Sequence, residues 1–405
     1  MSLRDEIEHE AAAAAAAVPL LKDDAVTDAL EHAALLVGER RDAIAAANAA
    51  DVDAAEGLDP GSLDRLRLDA SRIDALADQL AQLAALPALE RDEDAWQLEN
   101  GLRVSVRRIP IGAVGANFEA RPNVAIDVAE QLLKSLNAAV LRTGGAALRT
   151  VTVLVDEILR PALEAAGLPP AAVGLARSPD REGARILVSL PHVLPLVILR
   201  GSGETTAALA HEAATHGVRT LAHAEGGGVL YIGAAADPGK AEALVAASLD
   251  RLGVCNRLNL LLIDRGAEGL LPRLQAVLDR LGIEVREPER VGHEWANDPD
   301  RIASVTVRSV ESLDAAVALA NEETSGLAAA IVTEDADAAE RFLDAYRGTT
   351  AFWNATTRFT DGFALTGSPE TGINVDRVPG PRGPVTYRDL YLRQYRVVGD
   401  GTQAR

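Results

Sequence analysis

From Gly101 onward the chain alternates short apolar runs with helical stretches, and it does so twice. This constrains the fold more than any other feature. The first series runs LRVSVRRIPIGAVGA, AAVLRTGG, HVLPLVILRG and a strand near Thr220, with helices predicted over 150–166 and 205–216. The second begins near Gly226 with GVLYIG, LNLLLID, IASVTVR and AAAIVTED. Strands apolar on both faces, separated by helices, pack as parallel sheets covered on both sides. The expected fold class is therefore α/β, with a doubly wound parallel-sheet unit followed by a second α/β unit and a cleft between them.

The flanks differ from this pattern. Residues 2–86 read as helix, with Leu63, Leu66, Ile73, Leu76, Leu80 and Leu83 as a core-facing stripe. Pro60 and Gly61 break the run once and Pro87 ends it. The closing TYRDLYLRQYRVVGDG returns to strand-like alternation, and is expected to pair with the segment near Val104 and to offer an edge for oligomerisation.

With 48% hydrophobic residues over 405 positions, the chain is long enough to bury a large core in more than one domain. A single cysteine excludes an intrachain disulfide, and the alanine run at 11–17 sits among acids rather than in a leader-like context, so a cytoplasmic location is expected. Charged residues interrupt every apolar stretch, which argues against a membrane span. A formal charge of -20 argues against nucleic-acid or anionic-membrane partners. Any anionic ligand must be held by a local cluster of bases, and 37 of the 40 basic residues are arginine. The seven histidines show no metal-ligand spacing, so no metal is expected.

Several segments carry possible chemistry. Cys255, in GVCN, lies between a helix predicted over 240–252 and the strand LNLLLID, where a thiol is held rigidly yet reaches a cleft. A buried small apolar residue is the alternative at that position. FEARPNVAID places Arg121 and Asn123 at a strand-to-helix turn, suited to orienting a substrate or donating to an oxyanion, or simply to capping the helix. LRTGG, with Arg142, and LRGSGETT, with Gly201 and Ser202, each end a strand with arginine and then glycines, as phosphate-binding turns do. WNATTRFTDG gathers Asn354, Thr357 and Arg358 on a loop fit to hold a carboxylate or phosphate.

Taken together, IPIGAVGANFEARPNVAID, LLKSLNAAVLRTGG, GVCN, NATTRFTDG, PRGP and the final VVGDG resemble, in that order, the gamma-glutamyl phosphate reductase (glutamate-5-semialdehyde dehydrogenase) family of the aldehyde dehydrogenase superfamily. The resemblance implies an aldehyde dehydrogenase-like fold, with 1–101 and 112–225 as cofactor-binding domain, 226–380 as catalytic domain, and 102–111 with 384–400 as oligomerisation strands. It implies NADP(H)-dependent reduction of an acyl phosphate to an aldehyde, in the second step of proline biosynthesis. Cys255 would then be the nucleophile and form a thioester. Asn123 would stabilise the oxyanion, and Arg121, Asn354, Thr357 and Arg358 would bind substrate. Arg142 would approach the adenosine ribose and hold a 2'-phosphate, Gly201 and Ser202 the pyrophosphate, and Glu294 the nicotinamide ribose. Ala224 stands where hydrolytic relatives carry their water-activating glutamate. Implied partners are the small-molecule acyl phosphate or aldehyde, further copies in a homo-oligomer, and a gamma-glutamyl kinase.

The chain also departs from the family pattern. HLDGICHVYVD is replaced by HAEGGGVLYIG, which keeps His223 but puts Gly228 and Val229 in place of cysteine and histidine. Leu327, Ala328 and Ala329 replace three polar residues, and Asn259 replaces a glutamate. Loss of polar partners predicts altered discrimination, so two other readings stand beside the first: a reductase of a different acyl donor, and a catalytically weakened binding paralogue.

Overall fold

The computed structural model describes residues 2–201, 203–223, 226–377 and 380–403, apart from the side chains of Asp94 and His223. Two parallel sheets dominate the described residues. The first has five strands in the order Val173–Ala176, Ala138–Thr143, Ala113–Phe118, Leu196–Arg200, Arg219–His223. Ala113–Phe118 at its centre is buried along its whole length, as a strand covered on both faces must be. The second has six strands in the order Glu284–Val285, Ser304–Val310, Leu258–Asp264, Gly228–Ile232, Ala328–Val332, Thr350–Trp353. All its pairings are parallel. The fold is α/β with two parallel sheets, as the alternation predicts.

Helices fill the N-terminal region. Ser2 and Asp5 form a reciprocal capping box at the start of Leu3–Ala17, and Asp59 caps Pro60–Leu66 by accepting from the amides of Gly61 and Ser62. Pro60 thus begins a helix at a position that tolerates its missing N–H. Of the predicted stripe, Leu66, Ile73, Leu76, Leu80 and Leu83 are buried. Leu63 is half-buried. The helix predicted over 150–166 spans 148–165, with its middle, Leu154–Leu159, wound as π-helix.

The late extended segment forms the strand Tyr391–Val398, antiparallel to Arg103–Pro110, with Val397 opposite Val104. The other edge of Arg103–Pro110 pairs with Asp92–Gln97, a strand that apolar alternation does not mark. Leu392, Tyr395, Val397 and Val398 remain exposed on this small sheet. A short hairpin, Gly372–Asn374 with Gly383–Val385, brings Glu370 and Ile373 to the cleft.

Candidate active site

Cys255 is positioned by close backbone packing. The helix Pro238–Ser248 stops earlier than the sequence suggests, and Gly253 turns the chain at φ +79 while its amide bonds the carbonyl of Ala296 at 3.0 Å. The strand Leu258–Asp264 follows. Gly227 donates its amide to the Cys255 carbonyl at 2.6 Å. A Cβ on Gly226 would fall 2.6 Å from Cβ of Cys255, so only glycine fits there. Asn256 donates to the carbonyls of Arg358 and Thr360, both at 3.0 Å, and accepts from the Arg358 guanidinium. Thr357 Oγ1 donates to the Asn256 carbonyl at 2.8 Å. The cysteine turn is therefore stapled to the 356–360 loop.

The half-buried thiol opens on a cavity of about 260 Å³ whose lining includes Arg121, Arg200, Glu294, Arg358 and Glu370. Burial, and then the Glu294 carboxylate, push the thiol pKa up to about 12, against the opposing pull of Arg200 and Arg121. Burial thus favours the thiol form, and cationic groups or a base that compensate the charge favour thiolate. Arg121 has its own pKa lowered to about 10, first by burial and then by repulsion from Arg200 and Arg65. Among the described residues its guanidinium has neither a carboxylate within ion-pair distance nor a hydrogen-bond acceptor. Glu370 is raised to about 7, chiefly by burial and then by Asp361, while the Gly362 amide donates to it at 3.0 Å. Glu294 accepts from the Gly226 amide at 3.0 Å and from Asn297 Nδ2 at 2.7 Å.

The remaining expected residues distribute unevenly. Gly201 and Glu294 line the Cys255 cavity, whereas Arg142 lines another of about 460 Å³ beside Glu204 and Thr205. The helix Gly203–Thr215 begins between the two, so a dinucleotide laid across its first turn would reach both. Ser202 and Ala224 lie outside the described residues. Arg142 is 1% exposed, and its terminal nitrogens donate to Asn117 Oδ1 at 3.0 Å and to the carbonyls of Pro179 and Asp180 at 3.2 and 2.8 Å. Both terminal nitrogens thus serve protein oxygens, and the exposed Arg181 lines the same cavity.

Asn123 donates to Asp127 Oδ2 at 3.0 Å and makes no capping bond; it faces an adjoining cavity that shares Arg121, Arg251 and Gly253 with the first. Arg358 lines the Cys255 cavity but is bonded to Asp250 at 2.7 Å and to Asn256. Thr357 is fully buried beneath the cysteine turn. Asn354 does not line that cavity: at φ +51 its side chain bonds both backbone groups of Thr333, closing the ends of two strands. Glu370 escaped sequence reasoning because no local pattern sets it apart. Arg200 was visible only as the arginine of a glycine turn.

None of the six departures lines the Cys255 cavity. Val229 and Ala329 are buried in the apolar core of the second sheet, while Leu327 and Ala328 form with Ile373 a buried cluster against which Cys255 packs. Asn259 bonds the carbonyl of His293 and the amide of Trp295, on either side of Glu294. A Cβ on Gly228 would collide with Thr357, which accounts for glycine at that position.

A profile described as "Aldehyde dehydrogenase family" matches residues 304–383. A gamma-glutamyl phosphate reductase of Rhodospirillum rubrum is 37% identical over 393 residues, covering 92% of this chain and 91% of that protein. One from Clavibacter michiganensis subsp. michiganensis is 38% identical over 416 residues, covering 98% and 93%. The crystal structure of a gamma-glutamyl phosphate reductase from Thermotoga maritima superposes with a TM-score of 0.91 at 28% identity, covering 99% of this chain and 100% of that one.

Proposed function

The chain belongs to the gamma-glutamyl phosphate reductase family of the aldehyde dehydrogenase superfamily, and from that premise we propose that it reduces gamma-glutamyl phosphate to glutamate 5-semialdehyde through a thioester on Cys255. The observation that carries the reading is the Cys255 cavity itself, where a rigidly held thiol meets Arg121, a cation with no carboxylate partner among the described residues.

An acyl phosphate brings the missing anion. With its phosphate against Arg121 and Arg200, the scissile carbonyl lies near the sulfur, and the same two cations favour thiolate. The Cys255 sulfur bonds the acyl carbon, the carbon–oxygen bond to phosphate breaks, and the thiol proton leaves with the phosphate through a neighbouring carboxylate, Glu294 or Glu370. The acyl oxygen is stabilised by nearby N–H donors, with Asn123 released from Asp127 as one of them. The nicotinamide cofactor supplies the hydride that makes the aldehyde. The Arg142 cavity would hold its adenosine end, with Arg181 at the rim as the residue that would favour NADP(H), and Gly201 and Glu294 would serve its nicotinamide end. That all six departures are buried and none lines the cavity favours the family substrate over a different acyl donor. The exposed apolar edge Tyr391–Val398 supports a homo-oligomer.

The test runs the reaction in the oxidative direction, with glutamate semialdehyde, phosphate and NADP. Turnover is expected, falling by at least about 1,000-fold in Cys255→Ala. Undiminished turnover in that variant removes the thioester, and absence of turnover in the parent protein removes the substrate.

A further inference from the structure

The cavity adjoining that of Cys255, about 310 Å³, is lined by Arg65, Arg67, Arg72, Arg121, Arg251 and Arg301. Such a concentration of cations is unexpected in a chain of formal charge -20. The two carboxylates on its wall are already engaged. Asp64 is paired with Arg72 at 3.1 Å, and Asp127 accepts from Gln79 at 3.1 Å and Asn123 at 3.0 Å. Among the described residues, Arg121, Arg251 and Arg301 have no carboxylate within ion-pair distance, and Arg65 meets only the neutral oxygens of Ser62 at 2.9 Å and Asn297 at 3.4 Å.

The arginines also crowd one another. Arg65 is held below its ordinary pKa chiefly by burial, with Arg301 adding to the fall and Asp59, Asp64 and Glu294 opposing it, and Arg65 in turn lowers that of Arg121. Gly61 and Gly253 leave room for this crowding: a Cβ on either would meet Nη1 of Arg301, at 3.1 and 3.4 Å respectively. Arg301 itself sits at φ +56, a conformation costly for a residue with a side chain. Mutually repelling cations, partly withdrawn from water, are stabilised by an anion placed among them.

We propose that this cavity is the specificity site for the far end of the acyl donor, and that Arg65 and Arg301, with Arg251, recognise a carboxylate there while the acyl carbon lies at Cys255. The inference rests on the acyl-transfer reading for what occupies the neighbouring cavity. Its own basis is the shared wall: Arg121, Arg251 and Gly253 line both compartments, so one short ligand reaches from one to the other. Two cavities then read two charges, with phosphate on the Arg200 side of Arg121 and carboxylate on the Arg65 side. Arginine suits the task because its fork meets both oxygens of a carboxylate.

The test compares kcat/KM for 5-oxopentanoate with that for pentanal, an uncharged aldehyde of equal length, each with phosphate and NADP. The expected preference for the carboxylated aldehyde falls about 10- to 100-fold in Arg65→Ala and Arg301→Ala, the range for losing a hydrogen bond to a charged group. It is largely retained in Arg65→Lys and Arg301→Lys, which keep the charge. Binding of glutarate, measured by calorimetry at fixed ionic strength without cofactor, should weaken in parallel in the alanine variants. A preference and a glutarate affinity unmoved in folded alanine variants overturn the proposal. Turnover of neither aldehyde, with glutarate binding still dependent on Arg65 and Arg301, upholds the anion site while removing the acyl-transfer reading.

Discussion

Arg142 and Arg121 face different cavities of the cleft, and the fold uses them in opposite ways. Arg142, 1% exposed, gives its terminal nitrogens to one side chain and two carbonyls, and so ties the strand Ala138–Thr143 to the 179–180 loop. Among the described residues Arg121 has no such acceptors and is instead pressed by two other arginines, Arg200 and Arg65. The first builds a wall; the second is the one to which the proposed function gives an incoming anion. An arginine in a motif therefore says little about ligand binding until its hydrogen bonds are counted: the terminal nitrogens of Arg142 already serve protein oxygens, although its buried Nε has no acceptor among the described residues.

The contrast breaks most readily at Arg142. Arg142→Ala leaves the Pro179 and Asp180 carbonyls and Asn117 short of donors, and the expected loss of stability is about 3 kcal/mol, read from urea unfolding. The ratio of NADP to NAD affinity should change little. A large change in that ratio with stability intact would show that Arg142 grips the 2'-phosphate after all. Arg121→Ala should do the reverse, lowering kcat/KM for the acyl donor about 10- to 100-fold, roughly 1.4 to 2.7 kcal/mol, with stability within about 0.5 kcal/mol of the parent. Because Arg121 also helps to hold the Cys255 pKa down, alkylation of the thiol by iodoacetamide at pH 8 should slow in the variant. Unchanged alkylation together with unchanged kcat/KM would place Arg121 outside the site.

The same contrast marks how far the sequence is legible. Four strands of each parallel sheet follow from apolar periodicity, since strands covered on both faces have little choice of residue, whereas the short strands Val173–Ala176, Glu284–Val285 and Thr350–Trp353 go unmarked; the closing segment does pair with the one near Val104. Asp92–Gln97 escapes because it reads DEDAWQ, acidic at the start and paired at one edge of a small sheet. Cys255, Arg121 and Glu294 were picked out by motif, and the fold brings all three into one cavity. Asn354 was picked out on the same grounds, yet it serves a left-handed turn that only tertiary structure reveals. The departures at Val229, Asn259, Leu327, Ala328 and Ala329 look in sequence like a stripped binding site. In the fold they are a repacked interior, and Asn259 acts as a backbone brace beside Glu294. Whether a polar residue faces a ligand or a neighbouring strand is decided by contacts far apart in the chain.

Glu370 sharpens the comparison from the acidic side, because it too is a charge that the protein leaves incompletely compensated. Burial and Asp361 raise its pKa from the ordinary 4.5 to about 7, with Arg200 and the Gly362 amide opposing them. Raising the folded-state pKa of a carboxyl means that its contribution to stability is fully present below the unfolded value and is lost as pH rises through the folded one. The parent protein should therefore lose stability at this residue between about pH 4.5 and pH 7, by an amount on the order of 1 kcal/mol once solvent screening is allowed for. Glu370→Gln removes that loss, so its stability relative to the parent should be greater at pH 8 than at pH 4, which urea midpoints across the range would reveal. Parallel stability profiles for the two proteins would mean that Arg200 compensates Glu370 fully, leaving Arg121 as the charge in this cavity that awaits a ligand.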